Sequence, residues 1–243
     1  MRTIDRGAEP APEVIREDAC EAFRIVRSGG VAILPLSVSY AIFSHSALGV
    51  ERIYSLKNRP SSKPNGVLGN LDIFNQVMQT EPRDRELVEC ITIEHDLPLS
   101  VVAPFRADHP WLQSAQWGAL RRSSKNGTMD LLLNAGTIHN ELARLSWESG
   151  VPLFGSSANR SLTGSKFELH EVEESLRAGC EIVIGYGRSP HANRWAVGST
   201  IIELPGWRVL RYGGCYEQQA AIVKARFGVD LPPRPTEGSM SLV

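Results

Sequence analysis

Short apolar runs alternate along this chain with segments of helical periodicity, and this alternation limits the possible folds more than any other feature. The apolar run Val31–Pro35 predicts a buried strand. The segment before it ends at Gly29 and Gly30 and predicts an amphipathic helix. The apolar face of that helix comprises Ile15, Ala19, Ala22, Phe23 and Val26. Because strands and helices are interleaved in this way, the sequence predicts an α/β or mixed α+β fold.

The rest of the chain continues the same pattern. Further helices are predicted at Gly49–Leu56, Ile138–Ser149 and Gln218–Phe227. Further strands are predicted at Leu99–Ala103, Thr128–Leu133, Val151–Phe154, Ile182–Ile184, Ser199–Glu203 and Trp207–Leu210. The last two strands are close enough in sequence to form a hairpin through Leu204–Gly206.

Length and charge exclude several classes of protein. The 243 residues suit one domain, which we place at 13–228, between a flexible N-terminus at 1–12 and a flexible tail at 229–243. Lys and Arg number 26 against 27 Asp and Glu, so the net charge of −1 gives no global attraction to nucleic acid. No apolar run suits a membrane span, and the polar start of the chain lacks the core of a secretory signal. Four separated cysteines without a C-x-x-C pair favour a reduced, cytoplasmic protein.

The strongest local concentration of charge is the segment Lys57–Pro64, which holds Lys57, Arg59 and Lys63 on a loop with two prolines. The segment follows a predicted helix end, where cations also complement the helix dipole. Alternatively, an Arg fork and Lys point charges on a stiff loop suit an anion such as phosphate. Composition alone leaves both interpretations open.

Two polar clusters lie beside predicted strands. Gly155–Ser161 directly follows Val151–Phe154, a position typical of ligand contacts in α/β folds, although Ser and Asn also favour turns and helix caps. Ser199 opens the predicted hairpin, and Arg211 lies just past its end. Either residue suits a site or an exposed surface.

Taken in order, these segments resemble the YrdC-like family, whose members include threonylcarbamoyl-AMP synthases. The resemblance extends from about residue 15 to about residue 215. It rests on five stretches in the family's order and spacing: Gly29–Pro35, Lys57–Pro64, Ser157–Asn159, Ser199–Ile202 and Leu210–Gly213.

The resemblance implies a YrdC-like twisted, mostly antiparallel sheet with flanking helices around a large concave cavity. Family enzymes join an amino acid, bicarbonate and ATP into a carbamoyl-adenylate and release pyrophosphate, with Mg²⁺ on the triphosphate. By this resemblance the catalytic residues are Lys57 and Arg59. The ATP contacts are Arg59, Lys63, Thr128, Asn159 and Arg211, and the substrate contacts are Ser157, Ser199 and Tyr40.

The amino-acid side of the implied site departs from the family pattern. The family's threonine-contacting Thr corresponds to Leu36, a His that follows the basic loop corresponds to Leu68, and the Arg of a Val-x-Val-Arg strand corresponds to Leu132. Loss of a charged partner disfavours a carboxylate ligand. We therefore expect a divergent member that keeps the nucleotide half of the site and has lost or changed the acceptor half. Three alternatives follow: it carbamoylates a different, less polar amine, it adenylates another acid, or it binds nucleotide without turnover. Asp130 stands where the family strand is apolar, and the sequence offers no explanation for it.

Two other functions stay open. The family's basic cavity also suggests a module that binds double-stranded RNA or tRNA, although the net charge and the lack of interleaved aromatic residues weaken this hypothesis. The third alternative is a partner subunit that has lost activity. The six histidines show no metal-ligand spacing, so no protein metal site is predicted. Trp195 is a candidate lid over the cavity, and the oligomeric state and any partner protein stay open.

Overall fold

In the computed structural model, which describes residues 1–236, the strands join into one mixed sheet of eleven strands. Its strands are β1 (Arg2–Asp5), β2 (Ala32–Pro35), β3 (Tyr40–Ser44), β4 (Gly66–Gly69), β5 (Leu99–Pro104), β6 (Ser124–Lys125), β7 (Thr128–Leu133), β8 (Phe154–Ser157), β9 (Ile182–Gly185), β10 (Ile201–Glu203) and β11 (Arg208–Arg211). The order across the sheet is β1-β9-β2-β3-β8-β4-β7-β5-β10-β11, and β6 pairs with β7. Within the described residues, six pairings are antiparallel and four are parallel.

Helices flank this sheet. They are α1 (Pro12–Arg27), α2 (Ala47–Lys57), α3 (Leu71–Val77), α4 (Pro82–Glu89), α5 (Pro110–Gln113), α6 (Trp117–Arg122), α7 (Thr137–Ser149), α8 (Glu174–Ala178) and α9 (Tyr216–Phe227). A π-helical turn at Cys90–Glu94 continues α4, and a 3₁₀ turn spans Leu169–Glu171. No helix in residues 1–236 is both long and apolar enough to cross a membrane.

Local sequence explains where helix α2 begins and ends. Ser46 caps α2, because its hydroxyl accepts a hydrogen bond from the Gly49 amide at 3.0 Å. The same helix ends at Asn58, which has φ = 48°, the left-handed conformation that Asn tolerates best after Gly. The chain therefore turns sharply into the basic loop at residues 59–64.

Strand β7 shows how the sheet divides the core. Met129, Leu131 and Leu133 are buried in an apolar cluster on one face. On the other face Leu132 packs at the edge of a second cluster, which α1 and α7 cover. The alternation puts Thr128, Asp130 and Leu132 on the same, partly exposed face.

The structure confirms the mixed α/β class and most of the predicted elements, but it corrects three expectations. The first twelve residues are not simply flexible, because β1 pairs in parallel with β9 and Arg6 donates to Asp18 at 2.7 Å. Strand β8 begins at Phe154, three residues later than the start predicted at Val151, because Pro152 has no amide to offer a sheet.

The third correction concerns the tail. In its described part Arg234 donates to the carbonyls of Tyr212 at 2.7 Å and Gly213 at 2.6 Å and pairs with Glu217 at 2.6 Å. The guanidinium also lies 3.8 Å from the ring centre of Trp195. This segment is therefore packed against the domain. The remainder of the predicted tail, 237–243, lies outside the described residues.

Candidate functional site

A cleft of about 150 Å³ opens on the face of the sheet that carries Asp130 and Leu132. The basic loop and the start of β4 form one side, and the ends of β8 and β10–β11 form others. Among its lining residues are Leu36, Phe43, Arg59, Gly66, Ser100, Asp130, Leu132, Ser157, Ser199 and Arg211. The structure therefore brings four of the predicted site residues, Arg59, Ser157, Ser199 and Arg211, to a single cavity.

Arg59 is held by its own loop. Its Nε donates to the carbonyl of Lys63 at 3.2 Å and its Nη2 to the carbonyl of Pro64 at 2.7 Å. The guanidinium lies 5.8 Å from the ring centre of Tyr54, within cation–π range. Since a guanidinium carries five N–H donors, these contacts orient the group and leave donors for a ligand in the cleft.

Arg211 enters the same cleft from the end of β11, where a register shift at Ile201/Ile202 interrupts the hairpin. Its Nε donates to the Ser199 carbonyl at 2.8 Å, and its Nη2 donates to the Ser199 hydroxyl at 3.0 Å. That hydroxyl lies 2.9 Å from the hydroxyl of Ser100 on β5. Desolvation of the guanidinium at the cleft lowers the pKa of Arg211, although part of the residue is exposed, and the charge of Asp130 opposes this shift. Arginine stays protonated in proteins, so the cleft keeps its cation.

Asp130 is the acidic member of the cleft lining. Burial raises the pKa of its carboxyl, and Arg211, the Ser100 hydroxyl and Arg59 oppose that shift. Its Oδ1 is buried and has no hydrogen-bond partner among residues 1–236. Such an oxygen is costly unless a donor reaches it. Asp130 is therefore the most unusual group in the cleft.

Lys57 lies behind the cleft rather than in its lining. It is 1% exposed, and its ammonium donates to the carbonyl of Ser157. Burial lowers the pKa of Lys57 to about 7, and the charge of Arg59 adds to this effect. In this structure the Lys57 ammonium binds the backbone at Ser157 and does not line the cavity. A catalytic role of Lys57 would therefore not involve direct contact with a ligand in this cavity.

Three predicted nucleotide contacts lie outside the cleft lining. Lys63 is half-buried on the basic loop, and Thr128 donates to the carbonyl of Lys125 at 2.8 Å. Asn159 is buried, and its Oδ1 has no hydrogen-bond partner in the described part of the chain. They do not share the cavity of Arg59 and Arg211.

Tyr40 is not part of the cleft, contrary to the prediction. Its side chain is fully buried, its hydroxyl donates to the carbonyl of Gly187 at 2.8 Å, and the Tyr186 amide donates to that hydroxyl at 3.2 Å. Burial raises the pKa of Tyr40 to about 12. The side-chain alternation of β3 explains the placement, because Ala41 and Phe43 face the cleft and Tyr40 faces away.

The three leucines singled out in the sequence belong to one apolar cluster. Leu36 and Leu132 line the cleft, and Leu68 is fully buried nearby in the same cluster. One part of the cavity is consequently apolar. This part offers no charged partner for the carboxylate of an amino acid.

Sequence reasoning missed Ser100 and Asp130 as site residues. The signal was available in β7, where alternation with the core residues Met129 and Leu131 places Asp130 on the opposite face. The alternation does not predict that Ser100 on β5 pairs with Leu132 on β7. This pairing brings Ser100 to the same cavity.

One group of possible metal ligands occurs in residues 1–236, and none of its members lines the cleft. Its members are Cys90, Glu94 and His95, with ligand atoms within 4.8 Å of one another. Burial and the charge of Glu94 raise the pKa of the Cys90 thiol, which opposes the thiolate form that binds metals. The cleft lining itself contributes one carboxylate, Asp130, with two arginines beside it.

Comparisons with known proteins agree with this fold. The structure of a hypothetical protein, smu.1377c, from Streptococcus mutans UA159 superposes with a TM-score of 0.77 at 20% identity, covering 95% of this chain and 97% of that chain. P. abyssi Sua5 complexed with L-threonine gives a TM-score of 0.68 at 24% identity, covering 96% of this chain and 63% of that chain. E. coli YciO gives 0.61 at 18% identity, covering 87% and 94%.

Comparison with curated proteins finds no match. The model of the Sua5/YciO/YrdC family, described as "Telomere recombination", matches residues 24–213. The matched segment begins within α1, ends after β11 and contains every residue named above in the cleft lining. The chain therefore belongs to the Sua5/YciO/YrdC family.

Proposed function

We propose that this protein binds the phosphates of ATP in the cleft and forms a carbamoyl-adenylate from bicarbonate and an amine other than threonine. The observation that carries the proposal is the presence of two oriented guanidinium groups, Arg59 and Arg211, in the lining of one cavity. Planar N–H donors of this kind suit phosphate oxygens and the charge that develops on a transferring phosphoryl group.

The reaction consists of two balanced steps. The amine nitrogen forms a bond to the carbon of bicarbonate, and water leaves to give a carbamate. A carbamate oxygen then forms a bond to the α-phosphorus of ATP, and the bond from that phosphorus to the bridging oxygen breaks to release pyrophosphate. Since neither step needs an enzyme nucleophile, catalysis is a matter of position and charge.

Different residues of the chain would have different roles in this reaction. Arg59 and Arg211 stabilise negative charge on the phosphates, and the hydroxyls of Ser157 and Ser199 offer hydrogen bonds at the reacting end. Mg²⁺ would arrive as the counter-ion of the triphosphate, because the cleft lining supplies only Asp130 as a carboxylate. Lys63 and Asn159 would contact parts of the nucleotide outside the cleft.

The acceptor side argues against threonine. The neighbour from P. abyssi was solved in complex with L-threonine, but this chain has Leu36 and Leu132 in its cleft lining. An apolar wall leaves a free carboxylate desolvated and unpaired.

The test is release of pyrophosphate from ATP, Mg²⁺ and bicarbonate, measured with threonine and with a panel of small amines. We expect release with an amine that lacks a carboxylate and little release with threonine. Arg59→Ala serves as the inactive reference. Release that depends on threonine alone would overturn the proposed acceptor, and failure of the wild-type protein to bind ATP would overturn the proposed function.

RNA binding remains a prediction of the family resemblance. The two arginines converge on one small cleft, which favours a small anion over a nucleic-acid backbone, although Arg211 is also exposed to solvent. No observation in the described residues gives RNA a separate site.

A further inference from the structure

Asp130 has no part in the phosphate binding proposed above, yet it lies in the same cavity as both arginines. The hydrogen bonds of Arg59 go to the carbonyls of Lys63 and Pro64, and those of Arg211 go to Ser199. The carboxylate therefore receives their charge at a distance, and the Ser100 hydroxyl also favours its ionised form, but Oδ1 has no hydrogen-bond partner in residues 1–236. A buried carboxylate oxygen without a hydrogen-bond partner needs a hydrogen-bond donor.

A bound nucleotide would make this need stronger. Phosphate oxygens that engage Arg59 and Arg211 neutralise the two cations that now stabilise the charge of Asp130. The carboxylate would then lie in a desolvated cavity beside additional negative charge. Either it takes up a proton or a cationic group binds to it.

The neighbourhood leaves space for such a cation. Gly66 faces Asp130, and a Cβ at Gly66 would lie 3.5 Å from Oδ2, so the missing side chain keeps the approach open. Leu132, two residues along β7 on the same face, supplies an apolar contact for a methylene chain. The terminal torsion of Asp is broad, so either oxygen can turn toward a donor.

We propose that Asp130 is the specificity-determining residue of the acceptor site and binds the ammonium group of a cationic amine, so that the acceptor is a small diamine rather than an amino acid. One nitrogen of the diamine forms the carbamate, and the other stays protonated against Asp130. This inference rests on the proposed function and names the substrate class of the same site.

The lining of the cleft agrees with this class. A linear methylene chain matches the apolar wall formed by Leu36 and Leu132. A carboxylate at the same end would face Asp130 as a like charge.

The experiment compares three four-carbon ligands that differ only in their two end groups. The affinities of 1,4-diaminobutane, butane-1,4-diol and butanedioate are measured by titration calorimetry, with and without the non-cleavable analogue α,β-methylene-ATP. We expect the diamine to bind at least about tenfold more tightly than the diol, and this preference to increase with nucleotide, when the dianion should be the weakest ligand. Equal affinities for the three ligands would overturn the proposal.

The matched variants are Asp130→Asn, which keeps the shape of the side chain, and Asp108→Asn, which removes an exposed carboxylate before α5. Asp130→Asn should abolish the preference for the diamine and should bind nucleotide at least as tightly as wild type, because it removes a negative charge beside the phosphates. Asp108→Asn should behave as wild type. A preference that survives in Asp130→Asn would refute the assignment. The ligand series on the wild-type protein decides the question even where that variant does not fold.

The two proposals fail in different ways. Loss of nucleotide binding in the wild-type protein overturns the proposed function, and the series without nucleotide still decides whether Asp130 selects a cation. Nucleotide binding without any preference among the three ligands overturns this inference alone.

Discussion

Arg211 binds Ser199 through two hydrogen bonds, one from Nε to the backbone carbonyl at 2.8 Å and one from Nη2 to the hydroxyl at 3.0 Å. Both residues flank the hairpin of β10 and β11, so the guanidinium is oriented by the fold before any ligand binds. Preorganised donors of this kind need no rearrangement when charge develops on a substrate.

Replacement of either cleft arginine should weaken nucleotide binding. Arg59→Ala and Arg211→Ala each remove charge-assisted hydrogen bonds of about 1.5–3 kcal/mol, so we expect losses of roughly 10- to 100-fold in ATP affinity by calorimetry. Arg208→Ala is the control, because Arg208 lies on the same strand, is exposed and pairs with Glu203. An unchanged ATP affinity in both cleft variants would remove them from the site.

Substitution of Lys57 by methionine should stabilise the protein at neutral pH. The folded pKa of about 7 lies below the ordinary 10.5, so burial of the ammonium opposes folding. From this shift the gain at pH 7 is about 4 kcal/mol, less about 1–2 kcal/mol for the hydrogen bond to Ser157. The cost of the charge disappears as the pH approaches 10, so the gain should shrink there.

Urea denaturation of Lys57→Met at pH 7 and pH 9.5 measures this effect, and exposed Lys125→Met is the control. A variant that is less stable than wild type at pH 7 would contradict the expectation. A simultaneous fall in pyrophosphate release would show that the buried cation is kept for activity at the expense of stability.

The stability of the chain should fall between pH 6.5 and pH 4 because of His139. This side chain is fully buried on α7, and burial lowers its pKa to about 4 from 6.5. The unfolded state therefore binds more protons in this window, and stability is lost as the pH falls through it. Between pH 7.5 and pH 5 the loss assigned to His139 is about 2 kcal/mol.

His139→Gln should flatten this dependence relative to wild type, as measured by urea denaturation at the two pH values. His170→Gln is the matched control, since its side chain is 77% exposed. Equal slopes for wild type and His139→Gln would show that another group controls the acid sensitivity.

The sequence predicted the regular elements well where the pattern was strong. Helices α1 and α7 and strands β5, β7 and β9 lie within a residue or two of their predicted places, except for the longer N-terminus of α1. Strands β3 and β4 were not predicted, because they pack on both faces or are only four residues long and so carry no alternation.

The site was predictable only in part. Motif order identified Arg59, Ser157, Ser199 and Arg211, all of which line the cleft. Tyr40 matched the motif, but strand direction points it away from the cavity. Which face of a strand lines the cavity depends on pairing with strands that are distant in sequence, so the local sequence around Tyr40 does not encode it.

A double substitution should test the altered acceptor wall. Asp130→Asn combined with Leu132→Arg removes the acidic group and introduces a cation on the same face of β7. We expect this variant to gain pyrophosphate release that depends on threonine, because a guanidinium can pair with the amino-acid carboxylate.

Leu132→Arg alone is the internal control, since the new arginine would pair with Asp130 instead. It should therefore gain no dependence on threonine. Threonine dependence in the single variant, or none in the double variant, would contradict this account of the wall.

Arg234 connects parts of the chain that are distant in sequence, since it contacts Trp195, the carbonyls that follow β11, and Glu217 on α9. Amide hydrogen exchange should register this connection as shared protection. The amides around 195–199, 212–214 and 229–236 should exchange at similar rates in wild type and separate into independent rates in Arg234→Ala. The loop that carries Ser199 would thus open only together with the segment after α9, so access to the cleft becomes a property of a cooperative unit and not of one loop.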